Sequence, residues 1–259
     1  MKKRYKILPP IKPSRAIIAL YQAILKQFIR DMIKDVNKNV IPAVKQTLEY
    51  VQEVVDANKI DQLKREIARL KEKYIKRYGL LAQKLPENVI KKIQKDVGRR
   101  ITNILAGEYA VKFKLTKEQQ IIAKLATVEN VNLIKSIPQE FFKRLENDIY
   151  QSVSAGRDFP KLIKKIKNGY GVSERKSAML AFDQTNKITE RIDRETKKEL
   201  GITKAIWRHS SIPKEPRHSH VSADGKKYDI RKGCYISGEW IQPGEKINCG
   251  CFSQAIIEY

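Results

Sequence analysis

The sequence predicts an α+β protein: an elongated, mostly α-helical body over residues 1–200, then a small β-rich, loop-rich C-terminal module over 201–259. Three observations predict it. Apolar residues recur at helical spacing through the first two hundred residues and lose that spacing after Gly201. All three histidines (His209, His218, His220), all three cysteines (Cys234, Cys249, Cys251) and both tryptophans (Trp207, Trp240) lie from Trp207 onward. Beyond Gly201, glycine, proline, serine and aromatics become frequent, the texture of short strands and turns.

Residues 1–13 are basic and contain Pro9, Pro10 and Pro13, which predicts an extended arm. Ser14 is placed to cap a first helix. Its apolar rows are Ile17, Tyr21, Ile24, Phe28 and Met32, beside Ile18, Leu25, Ile29 and Val36. The Asn37–Asn39 region is expected to end that helix and Pro42 to open a second, running to about residue 56. A third helix follows, with a seam at Ile60, Leu63, Ile67, Leu70 and Tyr74 and a stop at Gly79. Two heptads are too few for a free coiled coil, so a hairpin packed on the second helix is expected.

Residues 80–115 suggest another helix, a glycine-marked break and a short extended piece over 110–115. Thr116 and Gln119 have capping-box spacing, so a helix should start at Lys117. Ser136 and Pro138 are expected to open a further helix that ends near Gly156. A short basic helix then runs to Gly169. Ser173 is expected to cap the last long helix, which Gly201 stops. In the module, KAIWRH reads as a strand, Asp224–Gly225 as a tight turn into KKYDI, and GEWIQPG and CFSQAII as further strands. The regions are thus 1–13, 14–128, 129–200 and 201–259.

Composition bounds the function classes. The net charge of +24 draws the chain to polyanions such as DNA, RNA or an acidic protein surface. The lysines are spread along the chain, so charge alone names no site. The segment GYGVSE lacks the lysine and spacing of a phosphate-binding loop, which sets a nucleotide-driven motor aside. The N-terminal stretch resembles a signal peptide, but Gln22, Lys26 and Gln27 break its apolar run and no small-residue cleavage site follows. No stretch is apolar enough to span a bilayer, so no membrane partner is expected and the chain should be soluble and intracellular when made. Three cysteines, two of them one residue apart, do not suggest a disulfide framework.

An ordered set of motifs runs through the second half: ENVNLIKSIP, GYGVSERKSAMLAFDQTNK, ELGI, the strand with Trp207, KEPRHSH, ADGKKY and GEWIQPGEKINCGC. This set resembles the phage head morphogenesis family, minor head proteins similar to protein F of bacteriophage Mu, over roughly residues 129–257. The family motif falls on Asp183, Gln184, Asn186, Gly201, Trp207, Arg217, His220, Asp224, Gly225, Pro243, Gly244, Asn248, Cys249 and Cys251. The family usually has arginine between the two cysteines, where this chain has Gly250. Cys234 and His218 lie where no family cysteine or histidine is expected and are set aside as ligands.

The resemblance implies a structural protein of the virion, not an enzyme. It would be made in the host cytoplasm with the procapsid and would sit at the portal vertex or inside the head. The implied partners are the portal protein, the major capsid or scaffolding protein, and double-stranded DNA bound without sequence preference. Some members carry a toxin or nuclease domain after the cysteines; here eight residues follow Cys251, so none is expected.

His220, Cys249 and Cys251 are one ligand short of a tetrahedral zinc site. His209 is the candidate fourth and Asp224 a poorer one. Zinc would tie a module too small to be rigid alone. The competing reading has the cysteines as small buried apolar residues and His220 as a hydrogen-bonded turn residue. Arg217 is expected to fix a loop through a carboxylate or carbonyl. Of Asp183, Gln184 and Asn186, one or two should bond to the module's loops, since the three cannot share a face. Trp207 and Trp240 are expected in the module's core. The alternative function is a DNA-binding or metal-independent nuclease accessory protein carried in the head, with His218 and His220 as acid–base groups beside Arg217.

Overall fold

The computed structural model describes residues 5–49, 57–105, 116–154, 159–211 and 215–258. The order of elements is β1 (Tyr5–Ile7), α1 (Arg15–Glu49), α2 (Ala57–Leu105), α3 (Lys117–Ser154), α4 (Phe159–Glu199), β2 (Lys204–Arg208), α5 (His218–Val221), β3 (Lys227–Asp229), β4 (Cys234–Ile236), β5 (Glu239–Ile241) and β6 (Phe252–Glu258). The class is α+β, long helices followed by a small antiparallel region. Among the described residues no helix is long and apolar enough to cross a membrane. The chain divides into two compact units, one of residues 1–20, 86–128 and 181–259, the other of 21–85 and 129–180. Each long helix contributes a segment to both.

The second unit is a four-helix assembly. On α1, Tyr21, Leu25, Ile29, Met32, Val36, Val40 and Val44 are fully buried at steps of three and four. Of the α2 seam expected from Ile60 to Tyr74, Ile60 is half-buried and the other four residues are buried, and the row continues through Tyr78, Ala82 and Leu85. The Tyr74 hydroxyl, with one proton to donate, lies 2.8 Å from both the Asp31 carbonyl and Asp35 Oδ2, and Arg77 pairs with Asp31 at 3.0 Å. That order runs α2 antiparallel to α1. Lys71–Glu146 at 3.1 Å and stacked Tyr74–Phe142 rings join α2 to α3. Lys176–Glu140 and stacked Phe141–Tyr170 rings join α3 to α4.

The helices are fewer and longer than their punctuation implied. The breaks expected at Asn37–Pro42, Gly79, Ser136–Pro138 and Gly169–Ser173 are absent. Pro42 and Pro138 lie inside α1 and α3, Pro86 lies inside α2, and α4 runs through both of its glycines. Burial is the reason. A helical glycine costs about 1 kcal/mol relative to alanine, whereas each fully buried large apolar side chain gains about 1.5–3 kcal/mol. The buried rows continue across each supposed break: Val36, Val40 and Val44 flank Pro42, and Tyr78 and Ala82 flank Gly79. Ser173 does not cap a helix; its hydroxyl donates back to the Gly169 carbonyl at 3.2 Å. The capping box at Thr116 does form, with reciprocal 3.3 Å bonds between Thr116 and Gln119, and Ser14 Oγ accepts from the Ile17 amide at 3.4 Å. The expected extended piece at 110–115, the helix end near Gly156 and the end of the expected second helix near residue 56 lie outside the described residues.

The first unit carries the sheet. Its order is β1-β6-β2-β3, all antiparallel, with β4–β5 as a separate hairpin. The stretch expected as an arm is extended over Tyr5–Ile7 but pairs with β6 as an edge strand, and Leu8 and Ile11 behind it are buried. Gly201 closes α4 with φ +71, and the Ile202 and Gly201 amides bond back to the Lys197 and Lys198 carbonyls. This double bond pattern is a Schellman stop. It turns the chain into β2 and brings the sheet against the last five turns of α4. There Asp183, Asn186, Glu190, Asp193 and Lys197, one face at helical spacing, are all buried.

A candidate metal centre at the joint of helix and sheet

The site is built where four segments meet: the end of β2, the short helix α5, the loop before β6, and α4. Trp207 on β2 is fully buried, and its ring stands edge-on to His220 with centroids 5.2 Å apart. Pairing of β2 with β6 sets Trp207 opposite Ser253, so the two cysteines arrive beside the tryptophan. His220 on α5 is buried at 4% exposure, and Cys249 and Cys251 at 3% and 2%. His220 Nδ1 lies 3.4 Å from Cys249 Sγ and 3.7 Å from Cys251 Sγ. His209 Nδ1 lies 3.9 Å from Cys251 Sγ.

The first three residues place one ligand atom each within 4.8 Å of the others. A tetrahedral zinc with Zn–S of about 2.3 Å and Zn–N of about 2.0 Å sets its ligand atoms roughly 3.5–3.8 Å apart. The His220–sulfur separations match that edge length. One imidazole and two thiols form a borderline-soft donor set suited to a divalent zinc-like ion. His209 is the looser member and falls outside the mutually close trio, beside Cys251 alone. Asp224 stands outside that trio; its Oδ1 accepts the His209 amide at 2.8 Å and so positions the histidine.

The two thiols are chemically unequal. The hydrogen bond from Cys251 pulls Cys249 down to about 5, against an opposing burial effect, and His220 adds to the pull. Cys251, the donor of that bond and buried, is pushed up. One proton shared between two sulfurs beside an imidazole is a state that a cation would replace. Cys234 is different. It shares their buried cluster with Ala205, Trp207 and Tyr228 but stands outside the His220 trio, and burial raises its thiol.

The remaining motif residues hold this arrangement together. Asn186 Nδ2 donates to the carbonyls of Cys249 and Cys251. Asp183 accepts the Asn248 amide at 2.6 Å and pairs with Lys187 at 2.9 Å. Gln184, one position on, donates its Nε2 to Asp183 Oδ2 at 3.3 Å. Arg217 donates to the Ile247 carbonyl at 3.1 Å, and Asn248 takes φ +56 just before the cysteines. The Gly225 amide, at φ +81, bonds the Trp207 carbonyl at 2.9 Å. Pro243 and Gly244 are buried, with Gly244 close on Glu190 and Asn186. Trp240, expected in the core, is 59% exposed and stands against Tyr235 on the β4–β5 hairpin. That hairpin does not pair with the main sheet, so its outer ring has no layer to cover it. His218 is exposed, two residues from His220 on one helical turn, and so faces another side.

A buried polar network beside the cluster has no counterpart in the sequence reading. The Ser253 amide donates to Glu190 Oε2 at 3.0 Å, its hydroxyl to Asp193 Oδ2 at 3.2 Å, and Lys197 Nζ reaches the Ser253 hydroxyl at 2.7 Å and pairs with Asp193. Burial and the Asp193 charge push the Glu190 carboxyl well up, and burial raises Asp193 against the pull of Lys197. The signal was present as polar residues at steps of three and four, a pattern that reads as a solvated face when the covering sheet is unknown.

Residues 143–253 match the family model described as Phage Mu protein F like protein. This stretch, less than half of the chain, is similar to that family, the phage head morphogenesis family that the motifs resemble. An uncharacterized protein of Haemophilus influenzae is 26% identical over 132 residues, which cover 51% of this chain and 29% of that protein. The chain thus spans less than a third of that relative's length. No solved structure matches the chain.

Proposed function

We propose that the protein is a bacteriophage minor head protein that acts in head morphogenesis, binding the portal vertex or the capsid interior. One observation carries this reading. Asp183, Asn186, Trp207, Arg217, His220, Asn248, Cys249 and Cys251, spread over the family-matched stretch, converge on a single joint between α4 and the sheet. Such a joint fixes a rigid module on a helix, which is what an assembly protein needs to present a surface. In this reading the protein is structural, resides in the virion, and meets the portal protein, the major capsid or scaffolding protein, and double-stranded DNA without sequence preference. The His220, Cys249 and Cys251 trio would hold zinc as a structural tie, with His209 or a solvent oxygen as fourth ligand. Zinc would supply a cross-link between α5 and the loop that leads into β6; Asn186 and Asp183 would hold that loop in place to receive it.

The test is the protein content of purified procapsids and virions, with a pull-down against the portal protein. A few copies per particle that come down with the portal are expected; absence from both particles sinks the reading. The nuclease alternative needs accessible acid–base histidines. His220 is buried against Trp207 and two sulfurs, and only His218 is open. Nuclease activity that is lost in a folded His220→Ala variant would revive it.

A further inference from the structure

A second site lies on the other flank of the same joint. On α4, Lys187, Arg191, Arg194 and Lys198 follow at steps of four, three and four and so share one face. With Arg231 and the turn Gln242, Pro243, Gly244 and Glu245 they line a cleft of about 320 Å³. The wall therefore carries five cations and one carboxylate. Glu245 is engaged locally, accepting the Gln242 amide at 2.7 Å.

We propose that this cleft binds the phosphodiester backbone of nucleic acid. The assignment rests on the reading that the protein contacts DNA and locates that contact. Three features favour a phosphate ligand over a merely solvated basic face. First, the cations are held in place. Lys187 is buried and anchored by Asp183, and Arg191 and Arg194 are half-buried. Second, the site is concave, which concentrates the field of like charges. Third, its length fits a strand. The eleven helical rises from Lys187 to Lys198 span about 16 Å, against roughly 3.4 Å of axis per phosphate on one DNA strand.

Carboxylates do stand behind the cations: Glu195 beside Arg194 and Lys198, and Asp229 beside Arg231. These pairs are partly exposed, and an arginine has five N–H donors, so it can keep its carboxylate and still fork onto a phosphate. The Gly244 turn closes one end, since it packs against Glu190 and Asn186 with no room for a side chain. A ligand would therefore run along the α4 stripe.

The experiment uses the full chain, a labelled 30-base-pair duplex and fluorescence anisotropy across a salt series. One variant carries Arg191→Gln, Arg194→Gln and Lys198→Gln. A charge-matched control carries Lys64→Gln, Lys91→Gln and Arg99→Gln, all at exposed positions outside the cleft. Arg231→Gln alone, on the opposite wall and 65% exposed, serves if the triple variant does not fold. The cleft variant should lose at least about tenfold in affinity, and its salt slope should shrink by about two to three, one per lost phosphate contact. The control should change less than about threefold on the same grounds. Equal losses in cleft variant and control overturn the site while leaving DNA contact standing. No salt-dependent binding by the unaltered protein overturns both. If poly-glutamate of equal charge competes as well as duplex DNA, the cleft is a site for acidic protein and the phosphodiester assignment falls.

Discussion

The side-chain amide of Asn186 reaches from α4 to the carbonyls of both Cys249 and Cys251, bracketing the two thiols from the backbone side. One amide thereby sets the spacing of both sulfurs before any ion arrives. Its own Oδ1 is buried without a partner, so the residue is held there for what its nitrogen does. Asn186→Ala would leave two buried carbonyls unsatisfied, at about 1–3 kcal/mol each less what relaxation recovers. A loss of about 2–3 kcal/mol in urea unfolding is expected. Asn186→Asp should be worse, because it aims a carboxylate at two carbonyl oxygens. An unchanged unfolding midpoint in both variants would show that the loop is held by other means.

Metal content follows from the cluster geometry. The full chain purified without chelator should carry about one zinc, given three preset ligands at tetrahedral edge lengths. Cys249→Ser and His220→Ala should each abolish retention through a chelator wash. His209→Ala should weaken it less, because His209 approaches only Cys251. Chelation should also lower the melting temperature of the unaltered protein and leave the His220→Ala variant unmoved. Elemental analysis and thermal melts read both effects. Equal zinc in all variants would place the metal elsewhere.

The candidate ligands were legible in the sequence, but their surroundings were not. Histidine and cysteine are rare here and confined to one module, so residue type narrowed the candidates to six, and the family resemblance set His218 and Cys234 aside. The strands at KAIWRH, KKYDI, GEWIQPG and CFSQAII were legible from alternation and turn glycines. β1 was not, because Tyr5–Ile7 finds its partner, β6, some 250 residues away and carries no local turn. β4 was hidden between Gly233 and Gly238, both at positive φ, which read as loop. Helix number was misjudged because Pro42, Pro138, Gly79 and Gly169 are local signals, and the buried apolar rows that override them act through distant helices. Glu190, Asp193 and Lys197 were invisible for the opposite reason: nothing local distinguishes a polar face covered by a sheet from one covered by water.

Glu190 gives the pH prediction. Its carboxyl is buried, held well above the ordinary range of 4.5, and one oxygen lacks a partner. A group raised in the folded state contributes stability that is complete below its unfolded value. That contribution fades as pH rises toward the folded value. Asp193, raised in the same direction, adds to this trend, and Lys197 opposes it by favouring the ionised forms. Stability should therefore decline as pH climbs above about 4.5, the range that linkage sets. Glu190→Gln keeps the shape and an acceptor for the Ser253 amide without the charge. It should flatten the slope and unfold no earlier than the unaltered chain at pH 8. Urea midpoints at pH 5.5 and 8 decide; parallel slopes would mean that Glu190 titrates normally.

Two glycines separate strain from crowding. Gly201 and Gly244 both hold φ in the left-handed region, +71 and +76. A Cβ at Gly201 would meet open space, whereas one at Gly244 would fall 3.0 Å from Glu190 Cγ, 3.2 Å from its Cβ and 3.3 Å from Asn186 Nδ2. Gly201→Ala should therefore cost the conformational term alone, about 1 kcal/mol. Gly244→Ala adds a collision with a buried helix face whose polar network cannot yield without losing bonds, so about 2–4 kcal/mol is expected. The displaced turn would also pull on Asn186, so Gly244→Ala should weaken zinc retention while Gly201→Ala leaves it intact. Denaturation paired with metal analysis on the two variants separates these outcomes. Equal costs with equal zinc would mean that the turn is not seated on α4.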